Sequence, residues 1–174
     1  LESALSDRSA ACFVVEPIQA EGGIVVPPQG YLAKASDLCR RYGTLMVADE
    51  IQTGLGRTGA LFAIDHENVA PDILLLGKAL GGGVVPLSAV LTTEAIFRAA
   101  GGGTVRTPFH HTTYGGYPRA CAVGLAVLEV LLTSDLPARA RSLGERAMAG
   151  LRRLKNTQPL IADVRGRGLL IGIE

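Results

Sequence analysis

The chain has 174 residues, 48% apolar and 19% charged, which is typical of a folded globular protein with one sizeable core. Its net charge of +1 provides no field for nucleic acid or an anionic membrane, so we expect neither as a partner. Three cysteines without a Cys-x-x-Cys spacing indicate neither a disulfide framework nor a metal site, and a reducing cytoplasm is the expected location.

Apolar runs and a helical stripe alternate along the first half of the chain. Four short, mainly apolar runs predict β-strands: 12–15, 45–48, 73–76 and 87–91. Between the first two, Tyr31–Tyr42 place Leu32 and Ala35 on one helical stripe. Gly43 follows where a left-handed cap belongs. Strands joined by helices or long crossovers predict an α/β fold with right-handed connections.

Two further helices are predicted in the second half. The segment 119–132 is apolar nearly all round, and we expect it to be buried. A second helix begins near Asp135, and its charged side, with Arg141 and Glu145, should face solvent. The run 169–173 predicts a final strand. Because the chain starts without a methionine or a signal peptide, we expect it to be part of a longer protein.

Two of the predicted strands are each followed by a charged residue, Asp49 and Lys78. The carboxyl ends of neighbouring parallel strands share one crevice, in which ligands bind. A carboxylate facing an amine suits pyridoxal phosphate chemistry. The amine forms a Schiff base with the aldehyde, and the carboxylate keeps the pyridine nitrogen protonated. On spacing alone, the alternative is that both residues merely end two strands at the surface.

Five segments carry a resemblance that decides between these alternatives: Val15–Gly23, Val47–Gly59, Gly77–Gly83, Thr112–Gly116 and Arg165–Leu169. In this order they resemble the class III aminotransferases, a fold-type I family that includes ornithine, acetylornithine, putrescine and 4-aminobutyrate aminotransferases. The resemblance implies an α/β fold with a mostly parallel sheet flanked by helices. Residues 1–160 would belong to the large cofactor-binding domain, and residues 161–174 would begin the small C-terminal domain.

The same resemblance implies roles around pyridoxal 5′-phosphate. Lys78 matches the Schiff-base lysine, which later carries a proton, and Asp49 matches the partner of the pyridinium nitrogen. Gln52 matches a glutamine that contacts the cofactor 3′-oxygen. Thr113 matches a threonine that binds the cofactor phosphate across a homodimer interface, and Thr112 beside it is a second candidate.

Other polar residues in the matching segments have two interpretations each. Glu21 matches a glutamate that pairs with a carboxylate-reading arginine in some members, and the alternative is a solvated loop acid. Glu16, at a strand end before proline, is interpreted as structural. Arg57 either lines the entrance or stabilises its loop. Many relatives have asparagine and proline after the glycine pair, where this chain has Tyr117 before proline and then Arg119.

Two motifs are interpreted as incidental. Gly54, Gly56 and Gly59 spell G-x-G-x-x-G, but they come too late after a strand for the tight turn of a dinucleotide site. The pair His110–His111 has no carboxylate or third histidine at ligand spacing, so we expect no metal there.

The function implied by the resemblance is ping-pong transfer of an amino group. The donor would be a terminal amine such as an ornithine-like or putrescine-like compound, and the acceptor a 2-oxo acid. Another pyridoxal phosphate reaction, such as racemisation or an aminomutase step, stays open, as does a non-catalytic dimerisation module. The resemblance places a phosphate-cradling glycine turn, a ring-stacking aromatic and a carboxylate-binding arginine outside these residues. We therefore expect residues 1–174 alone to bind the cofactor poorly and to be inactive.

Overall fold

The computed structural model describes residues 1–101 and 112–174. The helices of these residues are α1 (Glu2–Leu5), α2 (Tyr31–Tyr42), α3 (Glu94–Ala99), α4 (Pro118–Thr133) and α5 (Leu136–Lys155). The strands are β1 (Cys12–Val15), β2 (Leu45–Asp49), β3 (Ile73–Leu76), β4 (Ala89–Thr92), β5 (Val164–Arg167) and β6 (Leu170–Ile173). Two short 3-10 turns cover Ala63–Glu67 and Lys78–Gly81.

The first four strands form one sheet in the order β1-β2-β3-β4. β1, β2 and β3 run parallel, with Val47 opposite both Val14 and Ile73. The predicted α/β fold, with a mostly parallel sheet flanked by helices, is therefore confirmed. β4 begins two residues later than the predicted run and is antiparallel to β3. Its direction is reversed because the link from β3 folds back through a 3-10 turn and a loop, without a crossover helix.

The principal core lies between α2 and the sheet. Leu32, Ala35 and Cys39 form the buried stripe of α2, and they cluster with Met46 and Ala48 of β2. The helix ends as predicted, since Gly43 takes a φ of +73° and its N–H donates to the Cys39 carbonyl. This packing fixes β2, the strand that ends in Asp49.

Helix α4 is not buried as its apolar sequence predicts. Its buried residues are Ala120, Gly124 and Leu131, whereas Leu125 and Leu132 are 70% and 61% exposed. One side of α4 packs on the 3-10 turn that begins at Lys78 and on α5. The prediction is wrong because an apolar pattern shows that a helix needs cover, without showing that the cover lies in the same part of the chain.

The charged side of helix α5 faces solvent as expected, since Arg141 and Glu145 are both exposed. Ala140, Gly144 and Met148 are its buried residues. Arg141 is exposed, and its guanidinium also donates to the Gly59 carbonyl at 3.1 and 2.7 Å. The buried stripe is set by close approach of backbones: a Cβ built on Gly144 would lie 2.1 Å from the carbonyl oxygen of Gly168.

The C-terminal strands β5 and β6 form an antiparallel pair, with Val164 opposite Ile173. The final predicted strand, 169–173, is thus confirmed as β6 within one residue. This hairpin packs on α5. The domain division near residue 160 stays a prediction.

Within 1–101 and 112–174, no single helix is long and apolar enough to cross a membrane. α4 and α5 together meet that test of length and composition, with a bend of 63° between them.

Candidate active site

Asp49 and Lys78 lie at the same edge of the sheet. Asp49 is the last residue of β2 and is opposite Leu75 in the parallel ladder. Lys78 follows β3 after a single glycine, Gly77. The two charged residues therefore leave the carboxyl ends of neighbouring strands, which is where ligands bind in sheets of this kind. Asp49 is half-buried and Lys78 is exposed.

The backbone of Lys78 adopts an unusual conformation. Its φ is +42°, in the left-handed region that residues other than glycine seldom occupy. The neighbouring residues hold it there: the Leu80 N–H donates to the Gly77 carbonyl at 2.9 Å, and Gly77 packs against Ile51. Such conformations cost of order 1–3 kcal/mol and cluster at functional sites. The geometry thus marks Lys78 independently of its sequence neighbours.

Two cavities flank Lys78, with volumes of about 420 and 440 Å³. Lys78 and Ile51 line both of them. The larger cavity is also lined by Gln52, Arg57 and the hairpin residue Leu169, among others. Both volumes lie in the range of about 300–1,000 Å³ that small-molecule sites occupy. The lysine is therefore accessible to a ligand from either side.

The carboxyl group of Asp49 is turned towards its own loop. Its Oδ1 accepts a hydrogen bond of 3.1 Å from the Ile51 N–H, and Asp49 lines neither of the two cavities. Ile51, which follows two residues later, bridges the two strand ends through its contact with Gly77. The ends of β2 and β3 lie together as expected. Oδ1 of Asp49 is hydrogen-bonded to the Ile51 N–H.

Glu21 and Gln52 are brought together by the loops that follow β1 and β2. The Gln52 side-chain amide donates to Oε1 of Glu21 at 3.1 Å. Glu21 is exposed and Gln52 is half-buried. Because Gln52 lines the cavity beside Lys78, Glu21 is connected to that cavity through one hydrogen bond.

Glu16 and Arg57 each hold part of the loops around the site. Oε2 of Glu16 accepts from the Ala20 N–H at 3.0 Å, which is a structural contact. Arg57 lines the larger cavity, and its backbone carbonyl accepts from the Leu169 N–H at 2.9 Å. The structure thus contains both features proposed for Arg57, a position on the cavity wall and a contact that fixes its loop.

Thr112 and Thr113 lie in the turn before α4, and both are exposed. The Thr112 carbonyl accepts from the Gly115 N–H at 3.1 Å. Neither threonine lines the cavities beside Lys78. Tyr117 directly precedes α4, and Arg119 is exposed in its first turn. His110 and His111 lie outside the described residues.

Glu50 is a buried acid that the sequence analysis did not single out. It is 1% exposed, and Oε1 accepts from the Ile64 N–H at 2.8 Å while Oε2 accepts from the Thr53 hydroxyl. Burial raises the pKa of its carboxyl group. The available signal was an acid directly after a strand with a threonine three positions later, which is a weak pattern.

The glycine-rich segment after Gln52 serves packing. Gly56 and Gly59 have φ values of +88° and +91°. A Cβ on Gly59 would lie 2.9 Å from Cβ of Arg141 in α5, and one on Gly56 would lie 3.3 Å from the ring of Pro137. The glycines therefore let α5 approach this loop closely.

The donor set at the edge of the sheet fits pyridoxal 5′-phosphate. Lys78 offers an amine for an aldehyde, the half-buried Asp49 a carboxylate for a pyridinium nitrogen, and Gln52 an amide for a phenolic oxygen. These groups, on a mostly parallel sheet flanked by helices, define the class of fold-type I pyridoxal phosphate enzymes. The chain belongs to the class III aminotransferases, since the family model Aminotransferase class-III matches residues 1–174.

Solved structures of relatives agree with this assignment. The ornithine aminotransferase of Toxoplasma gondii ME49 is 49% identical and aligns over 99% of this chain and 40% of its own, with a TM-score of 0.94. An acetylornithine aminotransferase from Elizabethkingia anophelis is 45% identical over 99% of this chain and 42% of its own, with a TM-score of 0.92. An (S)-enantioselective omega-transaminase from Thermomicrobium roseum is 38% identical over 99% of this chain and 39% of its own, with a TM-score of 0.92.

The chain spans about two fifths of the length of these relatives. A further structure of the Toxoplasma gondii enzyme has partial occupancy of pyridoxal phosphate at its active site. The cofactor of this family is thus pyridoxal 5′-phosphate, as the sequence motifs imply.

Proposed function

We propose that this chain forms the lysine-bearing part of a transaminase that moves an amino group from a small amine to a 2-oxo acid. One observation carries the proposal. Lys78 has a left-handed backbone at the carboxyl edge of the sheet, opens into two cavities, and lies beside the strand that ends in Asp49. A surface lysine that merely follows a strand has no need of such a conformation.

Four side chains of this chain would hold the cofactor. Lys78 would bind the aldehyde carbon, Asp49 the pyridinium nitrogen and Gln52 the 3′-oxygen. Thr113, with Thr112 as a second candidate, would reach the phosphate from a second copy of the chain in a homodimer, and its exposure away from Lys78 supports that arrangement. Bound pyridoxal phosphate supplies an electron sink for the bonds at the reacting carbon of the donor.

Lys78 has two tasks in the proposed reaction. It attacks as a nucleophile only when its amine is neutral, so it must lose a proton first. With the cofactor bound, the same amine would also move a proton at the reacting carbon of the donor. A single side chain thus serves both half-reactions, first with the amine donor and then with the 2-oxo acid.

Asp49 would hold the proton on the pyridine nitrogen of the bound cofactor. A charge-assisted hydrogen bond of this type contributes about 1.5–3 kcal/mol. Since Oδ1 already accepts from the Ile51 N–H, that bond fixes the carboxyl group and leaves Oδ2 for the nitrogen. Oδ2 is thus the oxygen of Asp49 that would meet the nitrogen.

The donor class is proposed from the relatives and from Glu21. Relatives are an ornithine and an acetylornithine aminotransferase and an omega-transaminase, so we propose a terminal amine as donor. Glu21, bonded to Gln52 at the cavity, would act as the gate that distinguishes the donor from the 2-oxo acid. We also propose a cytoplasmic homodimer, and a large domain that ends near residue 160.

The proposal is tested by locating the cofactor in the intact protein. The protein is incubated with pyridoxal phosphate and reduced with borohydride, and its peptides are then analysed by mass spectrometry. We expect the pyridoxyl group on Lys78. Lys78→Arg should abolish the adduct and lower amino transfer from ornithine to 2-oxoglutarate by about 10²–10⁴-fold, as loss of an acid–base group does.

Lys34→Arg is the matched control, because Lys34 is an exposed lysine on α2. It should leave both adduct and activity unchanged. An adduct on another lysine would contradict the proposed role of Lys78. Loss of donor stereochemistry without amino transfer would identify racemisation instead.

A further inference from the structure

The segment Arg165–Leu169 matches the family, yet the proposed chemistry gives it no role. Arg165 lies in β5, and its guanidinium reaches across 142 positions to the Gly23 carbonyl, with Nε donating at 2.7 Å. Nη1 of the same group donates to Asp163 at 3.0 Å and to Glu174 at 2.7 Å. One side chain therefore joins the C-terminal hairpin to the loop after β1.

The loop that Arg165 contacts has a strained backbone. Gly23 has a φ of +107°, and Ile24 has a φ of +55°. A positive φ is exceptional for a β-branched residue and persists only where the surroundings impose it. The hairpin supplies these surroundings: Arg165 bonds Gly23, and Gly172 is so close to Ile24 that an added Cβ would lie 3.0 Å from it.

The strained turn also carries the residue that reaches the cavity. Glu21 precedes Gly23 by two positions and accepts a hydrogen bond from Gln52, which lines the larger cavity beside Lys78. The hairpin contributes Leu169 and Leu170 to the wall of the same cavity. The hairpin thus shapes the cavity directly through its own turn and indirectly through the loop of Glu21.

We propose that Arg165 is a positioning residue: it holds the strained turn at 20–25 so that Glu21 stays bonded to Gln52 beside Lys78. The kinetic consequence rests on the proposed function, in which Glu21 meets the donor amine. The structural consequence, an ordered turn, does not depend on it.

The geometry requires arginine at this position. Nε and Nη1 donate at the same time to a backbone carbonyl and to two carboxylates, which the planar guanidinium fork permits. A lysine ammonium keeps the charge for Asp163 and Glu174 but lacks the fixed fork. Arg165→Lys should therefore lose the contact with Gly23 while it keeps the ion pairs within the hairpin.

Hydrogen exchange tests the structural consequence in the intact protein loaded with pyridoxal phosphate. The N–H groups of Gly23 and Ile24 donate to the Ala20 carbonyl, and that of Val25 donates to Gln19. We expect these three amides to exchange at least about tenfold faster in Arg165→Lys and Arg165→Gln, because the turn opens more often. Arg40→Gln is the control, since Arg40 is an exposed arginine that forms an ion pair with Asp37 on its own helix. Unchanged exchange in both Arg165 variants would overturn the proposal.

Steady-state kinetics distinguish positioning from stability alone. We expect the KM for the amine donor to rise about tenfold, with a much smaller change in kcat. A tenfold rise corresponds to the loss of roughly one hydrogen bond to a charged group. Faster exchange without any change in that KM would overturn the positioning role. A wild-type protein that transfers no amino group would contradict the proposed function, while the exchange measurement would still decide whether Arg165 holds the turn.

Discussion

At the scale of single residues, Asp49 and Glu50 are neighbouring carboxyl groups with opposite surroundings. Asp49 is half-buried at the edge of the sheet, whereas Glu50 is enclosed and bonded to Thr53 and Ile64. Two adjacent acids can take different roles when their environments differ in this way. Asp49 is suited to meet a ligand at the edge of the sheet, and Glu50 is suited to hold the loop that leads to Ile64, fourteen positions later.

The raised pKa of Glu50 predicts a specific dependence of stability on pH. Burial favours the protonated acid in the folded state, so the folded pKa lies above the unfolded value near 4.5. The free energy of unfolding should therefore fall as the pH rises from about 4.5 through the folded pKa, and then level off. Urea unfolding of the wild type and of Glu50→Gln at a series of pH values measures this.

Glu50→Gln keeps an oxygen for the Ile64 N–H and an amide group for the Thr53 hydroxyl, but it does not titrate. The difference in unfolding free energy between wild type and variant isolates Glu50 from the other acids. Parallel curves for the two proteins would contradict the prediction, and so would a difference that grows in favour of the wild type with rising pH.

The positions of Asp49 and Lys78 at the ends of two apolar runs made them candidates, and the family resemblance decided for a shared site. The sequence did not reveal the left-handed backbone of Lys78, the bond from Asp49 to Ile51, or the role of Glu50. These features depend on how the loop 50–64 folds over the strand ends. That loop has no periodicity from which its course follows.

At the scale of elements, the contact between α5 and the C-terminal hairpin depends on one glycine. Gly144→Ala places a methyl group 2.1 Å from the Gly168 carbonyl, so backbone has to move. We expect the variant to lose about 1–3 kcal/mol of unfolding free energy, as overpacked sites do. Thermal or urea unfolding measures the loss.

Gly150→Ala on the same helix is the control. The nearest atom that a new Cβ would meet there is the end of the flexible Arg153 side chain, at 4.0 Å. Because glycine disfavours helix interiors, this substitution should stabilise α5 by about 0.5–1 kcal/mol. Equal effects at both glycines would show that helix propensity, and not the contact with Gly168, governs Gly144.

The elements that were predicted well are those whose own apolar pattern shows which residues they bury. The stripe of α2 and the strands β1 to β3 pack on one another, so their local patterns sufficed. The direction of β4 and the buried face of α5 depend on a reversed loop and on a close glycine contact. A pattern of apolar residues contains neither.

At the scale of the whole molecule, the proposed homodimer accounts for the absence of Thr113 from the walls of the cavities beside Lys78. If each site takes Lys78 from one copy and Thr113 from the other, two inactive variants should rescue each other. A mixed dimer of Lys78→Ala and Thr113→Ala contains one site in which both residues are intact. Co-expression with two affinity tags, followed by purification of the mixed dimer, allows its transaminase activity to be measured.

We expect the mixed dimer to recover about half of the wild-type activity per dimer, since one of its two sites is complete. The two pure variants, purified through the same tags, are the controls. A mixed dimer no more active than the average of the pure variants would contradict the shared site. It would place Thr113 in the same copy as its Lys78 or outside the site.

The contact between Arg165 and the Gly23 carbonyl has a consequence for biosynthesis. Its two ends are separated by 142 positions, so a growing polypeptide contains the residues of the turn long before it contains the arginine. At about 5–20 residues per second, the ribosome needs roughly 7–30 s to cover that distance. During this interval Ile24 is free to relax to an ordinary backbone conformation. The cavity wall is consequently completed late, and a nascent chain is poorly prepared to capture cofactor until the hairpin has emerged.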